Sequence, residues 1–267
     1  MRPALLAAGY APDRVDRLYL PVAVWVLAQG ELQPEPPLML GISGPQGGGK
    51  STLAAALVAA LGAAGRRAVT VSVDDFYLTY AEQQAVAADF PGNRFLELRG
   101  YPGTHDVDLG VRTLRALKQG GEALLPVYDK SAHQGRGDRT PGGRRVCGPW
   151  DVIILEGWML GFRPGPVPPE LAVPNQRLAA YAAWHELLDT MVVLTMAHPR
   201  QVVEWRVESE QIRRARGEAT LTDDQARDYV ERFLPAYAAW VPGLVAAPPG
   251  RSALHLTLGA DRLPAPR

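Results

Sequence analysis

Short apolar runs alternate along this chain with longer segments whose apolar residues recur at helical spacing. The runs are four to six residues long and too short for helices, so they predict buried parallel strands. They occupy residues 38–43, 68–73, 152–155, 191–195 and 253–258. Helical spacing between them, as at Leu53, Leu57 and Leu61, predicts an α/β fold: a mainly parallel central sheet of about five strands with helices on both faces. The span 135–149, rich in glycine and arginine, has no periodicity and predicts a surface loop.

The first 37 residues precede the first predicted strand and end in a proline-rich connection. Their apolar stretch, residues 18–28, is well short of the roughly 20 residues that cross a bilayer, and it predicts a core-facing helix. Neither a cleavable signal nor a membrane partner is therefore expected. The boundaries predict an N-terminal helical appendage, 1–37, and an α/β domain, 38–267.

Charge and cysteine content exclude several kinds of partner. Lysine and arginine together number 28, as do aspartate and glutamate, so no overall field would attract nucleic acid or anionic lipid. The single cysteine excludes an internal disulfide and a multi-cysteine zinc site. We therefore expect a cytoplasmic protein with a small-molecule partner, while the oligomeric state stays open.

A glycine-rich motif follows the first predicted strand and precedes a helical stretch rich in alanine and leucine. Residues 44–51 match the pattern G-x-x-x-x-G-K-[ST], in which glycines let successive N–H groups point at phosphate oxygens. Lys50 is expected to reach the β- and γ-phosphates of ATP, and the Ser51 hydroxyl to ligate Mg²⁺. The predicted nucleotide-binding residues of this loop are Gly44, Gln46, Gly47, Gly48, Gly49, Lys50, Ser51 and Thr52.

Acidic residues follow two of the predicted strands, at the positions where chemistry collects in open α/β sheets. Asp74 and Asp75 follow the second strand, and Glu156 follows the third. Asp74 is the candidate base that accepts the proton of an attacking hydroxyl. Glu156 could hold Mg²⁺ directly or through water, so Ser51, Asp74 and Glu156 form the candidate metal site. An acid in such a position can instead cap the next helix, and Asp75 fits that alternative better than Asp74.

Basic residues cluster in a later helical stretch that begins near Pro199 and breaks at Gly217. Arg206 and Arg213 could close over the triphosphate as a helical lid and neutralise charge in the transition state. Glutamates at helical spacing in the same stretch leave an ion-paired, solvated surface as the alternative.

Two polar segments, 93–106 and 128–139, carry glycine, arginine and histidine and predict the walls of an acceptor site. An anionic acceptor would need cations there, and a planar guanidinium suits a carboxylate best. The candidate acceptor-binding residues are Arg99, His105, Tyr128, Lys130, Arg136 and Arg139. A nucleoside acceptor would instead need rings for base stacking, which Phe76, Tyr77 and Tyr101 could supply.

These motifs together resemble the superfamily of phosphoribulokinase, uridine kinase and bacterial pantothenate kinase. The resemblance rests on the loop at 44–51, on the strand followed by 74–77, and on 153–157. Further segments are similar to the plant and cyanobacterial D-glycerate 3-kinase family and its fungal and bacterial relatives, at residues 93–94, 97–100, 105–106, 128–131, 135–139 and 156–162. The resemblance implies a P-loop kinase fold in which Asp74 is the base and Mg-ATP phosphorylates D-glycerate to 3-phosphoglycerate.

The sequence leaves other functions open. A related kinase could act on uridine, or on pantothenate, which also carries a hydroxyl and a carboxylate. A P-loop regulator would use nucleotide as a switch and would need no acceptor site.

Overall fold

Nine strands lie in the parts of the chain that the structure, a computed structural model, describes: residues 1–33, 35–218 and 220–265. They are β1 (Leu38–Ser43), β2 (Ala68–Ser72), β3 (Glu122–Leu125), β4 (Tyr128–Asp129), β5 (Asp138–Arg139), β6 (Arg144–Cys147), β7 (Val152–Gly157), β8 (Thr190–Met196) and β9 (Ser252–Leu258). Five of them form one parallel sheet in the order β2, β7, β1, β8, β9. The other four form two antiparallel pairs, β3 with β6 and β4 with β5.

The five predicted strands are confirmed as this parallel sheet, with small changes at their ends. β2 ends at Ser72, one residue early, because the chain turns into the 3₁₀ helix Val73–Phe76. β7 extends through Glu156 to Gly157, because both residues pair with the end of β1. The prediction of a surface loop at 135–149 is wrong in part, since β5 and β6 pair back onto β4 and β3.

Helices cover both faces of the sheet. In the described residues they are α1 (Arg2–Ala7), α2 (Pro12–Arg14), α3 (Leu20–Glu31), α4 (Lys50–Ala63), α5 (Tyr80–Asp89), α6 (Val107–Gln119), α7 (Ala172–Arg177), α8 (Ala182–His185), α9 (Gln201–Ala215), α10 (Asp223–Glu231) and α11 (Leu234–Ala246). Alternate strand residues enter different cores: Met39 and Ile153 belong to one hydrophobic cluster, Leu40 and Ile154 to the other. Both faces of the sheet are therefore buried, as its apolar strands predict.

The N-terminal helices pack on the sheet face that also carries α4. Leu5 and Val26 are completely buried in one hydrophobic cluster with Leu53 of α4. Burial of such side chains stabilises a fold by about 1.5–3 kcal/mol each. The domain boundary at residue 37 stays a prediction, and position 34 of the proline-rich connection lies outside the described residues. Within those residues, no helix has the length and apolarity needed to cross a membrane.

Three strands bring their carboxyl ends to one edge of the sheet. β1 leads into the glycine-rich loop, and β2 leads into the Val73–Phe76 turn. Glu156 is the next-to-last residue of β7 and pairs with Ile42 of β1. The segment before α6 closes over the same edge, because Tyr77 forms a β-bridge with His105 and N of Leu78 donates to O of Thr104 at 3.0 Å. This edge is where the predicted chemistry collects.

Candidate active site

The glycine-rich loop joins β1 to α4 and packs against α9. Gly47 and Gly49 have φ angles of +72° and +87°, a left-handed backbone that residues with a Cβ rarely adopt. A Cβ on Gly47 would lie 2.8 Å from Cβ of Trp205, so packing also requires glycine there. The loop is held from a second side, since N of Gln46 donates to Oη of Tyr237 at 3.0 Å.

Lys50 begins α4 and folds back over the loop, where its Nζ donates to O of Pro45 at 3.1 Å. Loss of hydration lowers the pKa of Lys50, while the charges of Glu156 and Asp74 act in the opposite direction. The ammonium of Lys50 therefore lies within electrostatic range of both acids. The remaining residues predicted for this loop and the first turn of α4 are Gly44, Gly48 and Thr52.

Ser51, in the first turn of α4, contacts Glu156 at the end of β7, the strand next to β1. Oγ of Ser51 donates to Oε1 of Glu156 at 2.8 Å, and Glu156 is buried. Hydroxyl and carboxylate oxygens are the hard ligands that Mg²⁺ prefers. No group of three or more His, Cys, Asp and Glu side chains in the described part of the chain could hold a metal. A magnesium ion here would thus take its other ligands from nucleotide phosphates or water.

Asp74 and Asp75, both in the turn after β2, make different contacts. Asp75 and Ser72 form a capping box, in which Oδ2 of Asp75 accepts from N of Ser72 at 3.4 Å and Oγ of Ser72 accepts from N of Asp74 at 3.3 Å. The carboxylate of Asp74 instead contacts Nζ of Lys130 at 2.5 Å. Burial alone would raise the pKa of Asp74, but the charge and hydrogen bond of Lys130 lower it to about 2. Asp74 is therefore ionised at neutral pH.

Polar groups from three segments contact Tyr77, close to Asp74: two meet its ring and one its main-chain carbonyl. His105 stacks on that ring at 4.4 Å between centroids, Tyr128 meets it edge-on at 5.2 Å, and Nη2 of Arg139 donates to O of Tyr77 at 2.9 Å. Within the described residues, His105 Nε2, Tyr128 Oη and Arg139 Nε are buried without a hydrogen-bond partner. Buried polar atoms are rarely unpaired, so these three, on residues that all contact Tyr77, mark a wall where a polar ligand can bind.

His105 enters this wall as an uncharged side chain. Its Nδ1 lies 2.8 Å from Oη of Tyr181, which accepts a hydrogen bond from N of Gly103 at 3.0 Å. We assign Nδ1 as the acceptor of the Tyr181 O–H and place the ring proton of His105 on Nε2. In this tautomer the Tyr181 hydroxyl donates one hydrogen bond, to His105, and accepts one, from Gly103. Burial lowers the pKa of His105 to about 3, against the opposing charge of Asp74. In this environment His105 would offer a neutral N–H donor rather than a cation, and its role in acceptor binding stays a prediction.

Arg99 clamps the loop between β4 and β5. Its guanidinium lies over the ring of Tyr128, 5.4 Å from the centroid, and donates to main-chain carbonyls of that loop. The side chain of Arg136 is exposed. The structure thus brings Lys130 to Asp74 and Arg139 to the main chain of Tyr77, whereas Arg99 holds the loop and the side chain of Arg136 lies at the surface.

The two predicted lid arginines are ion-paired in this conformation. Arg206 contacts Glu210 at 2.5 Å and Arg213 contacts the same carboxylate at 3.6 Å, with Glu210 only 1% exposed. The guanidinium of Arg206 also lies over Tyr229 of α10, 5.0 Å from the ring centroid. These contacts match the ion-paired alternative, and closure of the lid over a nucleotide stays a prediction.

Arg232, which the sequence patterns do not single out, is a buried cation near the site. It is 7% exposed, and its guanidinium lies 4.5 Å from the ring centroid of Tyr229 and 4.8 Å from that of Phe233. Its Nη2 donates to O of Arg99 at 3.0 Å, which ties α10 to the acceptor wall. Arg232 ends a helix rich in charges, so no local pattern distinguishes it from solvated neighbours.

Comparisons with known proteins show the family of this chain. The family model described as the phosphoribulokinase / uridine kinase family matches residues 39–163. A solved D-glycerate 3-kinase from Cryptococcus neoformans is 30% identical with a TM-score of 0.86, and the match covers 93% of this chain and 98% of that one. The chain belongs to the phosphoribulokinase/uridine kinase family.

Other family members are similar over most of the chain. The chloroplastic D-glycerate 3-kinase of Arabidopsis thaliana is 41% identical over 93% of this chain, which spans 59% of that protein's length. An uncharacterized kinase of Schizosaccharomyces pombe is 36% identical, with 79% of this chain and 84% of that protein covered. The matched family region contains the P-loop, Asp74, the predicted acceptor segments 93–106 and 128–139, and Glu156, whereas Arg206 and Arg213 of α9 lie beyond it.

Proposed function

We propose that this protein is a D-glycerate 3-kinase, which transfers the γ-phosphoryl group of ATP to the 3-hydroxyl of D-glycerate. The observation that carries the proposal is the cluster of unpaired buried polar atoms around Tyr77, beside Asp74 and at the same sheet edge as the P-loop. The similarity to the D-glycerate 3-kinases of A. thaliana and C. neoformans supports the same acceptor.

The P-loop and its flanking acids are suited to Mg-ATP. Main-chain N–H groups of the loop and the start of α4 would hold the phosphates, with Lys50 at the β- and γ-phosphates. Ser51 and Glu156, whose oxygens meet at 2.8 Å, would hold Mg²⁺, with Asp74 as the third proposed ligand. The ion would neutralise charge on the phosphoryl oxygens. ATP as the phosphate donor fits the cytoplasmic location that the sequence predicts.

Asp74 would act as the base. The attacking hydroxyl must lose its proton, and Asp74 is a carboxylate ionised at neutral pH beside the acceptor wall. Burial lowers the pKa of Lys50, the residue that would meet the γ-phosphate, and the charge of Asp74 acts to raise it, so the two side chains are within electrostatic range of each other. Proton acceptance and phosphate binding would therefore occur in one small volume.

The wall offers groups that match a small hydroxy acid. Arg139 and Lys130 supply cations for a carboxylate, and the N–H of His105 and the O–H of Tyr128 supply neutral donors for hydroxyl or carboxylate oxygens. Arg139 is held by O of Tyr77, so the geometry of its guanidinium is set before the acceptor binds.

A nucleoside acceptor is less well served by the same wall. Phe76 and Tyr101 are completely buried and Tyr77 is 5% exposed, so none offers a ring face to a base. Tyr77 is already stacked on His105, and Oη of Tyr101 donates to O of Arg232 at 2.5 Å. These contacts favour a small anion over uridine.

A coupled assay of ADP release tests the proposal. The purified protein with Mg-ATP is offered D-glycerate, pantothenate, uridine and ribulose 5-phosphate in parallel. We expect turnover on D-glycerate, with 3-phosphoglycerate as the product in a ³¹P NMR spectrum. Turnover on one of the other three with none on D-glycerate would reject the proposed acceptor, and no transfer to any of them would favour the nucleotide-switch alternative.

A further inference from the structure

The ammonium of Lys130 covers the carboxylate that would act as the base. Nζ of Lys130 lies 2.5 Å from Oδ2 of Asp74, a distance that leaves no room for another group between them. An acceptor hydroxyl needs such an oxygen in order to hand over its proton. The contact seen here therefore blocks Oδ2, and it would have to open before a hydroxyl could hand its proton to that oxygen.

The side chains of Asp74 and Lys130 differ in how freely they can move. Asp74 belongs to a turn whose capping box involves both Ser72 and Asp75, and its side chain is 26% exposed. The side chain of Lys130 is 59% exposed and lies in the loop between β4 and β5. Arg99 holds the carbonyl of Lys130 at 3.3 Å, so the backbone is anchored and the flexible four-carbon stem is the part that can move.

The residue type at this position is unusual for the chain. Its 28 basic residues include three lysines, Lys50, Lys118 and Lys130, and the rest are arginines. A guanidinium grips a carboxylate with two parallel hydrogen bonds, whereas an ammonium is a point charge on a flexible stem. Lysine is thus the cation that exchanges more readily between two carboxylates.

We propose that Lys130 acts as a guard, by which we mean that it blocks the Asp74 carboxylate until the acceptor itself displaces it. This inference rests on the proposed function, in which the acceptor carries a carboxylate. Without acceptor, Lys130 pairs with Asp74; when the acceptor binds, its carboxylate takes the ammonium and the Asp74 oxygen is freed for the hydroxyl. One carboxylate replaces another beside the same cation, so the exchange changes the pairing energy little.

The guard would prevent loss of ATP to water. With Asp74 uncovered and no acceptor present, a water oxygen can form a bond to the γ-phosphorus while the bond from that phosphorus to the β–γ bridging oxygen breaks. The water proton passes to Asp74, and ADP and inorganic phosphate leave. Removal of the Lys130 charge should therefore create ATP hydrolysis that needs no acceptor.

The first test compares phosphate release from Mg-ATP, without acceptor, for the wild type, Lys130→Gln and Lys118→Gln. Glutamine keeps polarity and most of the length but loses the charge, and Lys118 is an exposed lysine at the end of α6. We expect Lys130→Gln to hydrolyse ATP about tenfold faster than the wild type. This increase is smaller than the roughly 10²–10⁴-fold rate enhancement that general-base catalysis supplies. Lys118→Gln should match the wild type. A Lys130→Gln rate no higher than the wild-type rate would overturn the guard.

The second test leaves the protein unchanged. D-lactate has the carboxylate and 2-hydroxyl of D-glycerate but hydrogen in place of the 3-hydroxyl, whereas glycerol has hydroxyls but no carboxylate. We expect D-lactate to raise wild-type phosphate release several-fold and glycerol to leave it unchanged. Equal effects of the two compounds, or none from D-lactate at concentrations that compete with D-glycerate, would contradict the exchange.

A third measurement needs neither ATP nor metal. Protein labelled with ¹³C at the lysine ε-carbons gives three lysine signals, with Lys118 as the internal reference. D-glycerate should shift the Lys130 signal and leave that of Lys118 in place; a Lys130 signal that stays fixed under saturating D-glycerate counts against the guard. If the wild type phosphorylates no D-glycerate, the proposed function fails, while the acceptor-free comparison of Lys130→Gln with the wild type still decides the guard.

Discussion

Oγ of Ser51 donates a 2.8 Å hydrogen bond to Oε1 of Glu156, although 105 positions separate the two residues in the chain. The contact exists because β1 and β7 are parallel neighbours, so the helix that follows β1 begins beside the last residues of β7. The two oxygens proposed as magnesium ligands are thereby brought into contact. Such preorganisation is what a phosphoryl-transfer site requires, because its catalysis is mostly positioning and charge stabilisation.

Glu156→Gln should weaken the metal site. The amide keeps the volume of the side chain but lacks its charge, so we expect kcat to fall about 10²–10³-fold, as when one preorganised charge-stabilising group is lost. The Mg²⁺ concentration for half-maximal rate should rise as well. The measurement is the rate against Mg²⁺ at saturating ATP. Glu186→Gln, on an exposed residue, is the control, and an unaltered Mg²⁺ dependence in Glu156→Gln would remove Glu156 from the metal site.

Asp74→Asn should separate nucleotide binding from transfer. The amide cannot accept the hydroxyl proton, so transfer should fall about 10²–10⁴-fold, while the Kd for ATP changes no more than a few fold because the P-loop is intact. The measurements are single-turnover transfer and ATP titration. A fully active Asp74→Asn enzyme would mean that another group is the base.

The neighbouring aspartate offers a contrast to that experiment. Asp75→Ala removes the carboxylate that accepts from N of Ser72, so the free energy of unfolding should fall by about 1 kcal/mol. Transfer by the folded fraction should persist. Urea unfolding and a transfer assay on the same sample would distinguish this capping role from a catalytic one.

Stability should fall as the pH falls from 7 to 5. Burial lowers the pKa of His105 to about 3 and that of His185 to about 4, from an ordinary value of 6.5. Between the native and unfolded values the unfolded chain binds more protons, so acid favours unfolding, and each histidine should cost about 2 kcal/mol at pH 5. The check is urea unfolding at pH 7 and 5.

His185→Gln tests the source of this pH dependence. Nε2 of His185 accepts from N of Gly161 at 2.9 Å, and the oxygen of a glutamine can accept the same hydrogen bond without titrating. The stability difference between pH 7 and 5 should shrink by about half in this variant. An unchanged difference would assign the acid sensitivity to other groups.

Gly47→Ala should disrupt nucleotide binding through the backbone. The left-handed φ of +72° and the 2.8 Å approach to Cβ of Trp205 both oppose a methyl group. We expect loss of ATP affinity by at least about tenfold and a decrease in unfolding free energy of about 1–3 kcal/mol. Gly62→Ala in α4 is the matched control, because nothing lies within 4 Å of its added Cβ; it should stabilise the helix by about 0.5–1 kcal/mol.

The fold was predictable because its signals are local. Each strand of the central sheet is a short apolar run, and the P-loop motif is contiguous between β1 and α4. The short strands β4 and β5 were not predictable, since each has two residues and forms only because its partner is present. Pairing across a loop, rather than propensity, determines such strands.

The sequence by itself determined the sheet, the P-loop and the acids at the carboxyl ends of β2 and β7, because motif spacing and strand ends specify where these groups lie. Only the tertiary structure decided which side chains are charged and which are paired. Packing against Tyr181 and Tyr77 makes His105 a neutral donor, and the loop after β4 delivers Lys130 to Asp74. Burial and long-range contacts set these properties, and neither is encoded in the residues immediately around them.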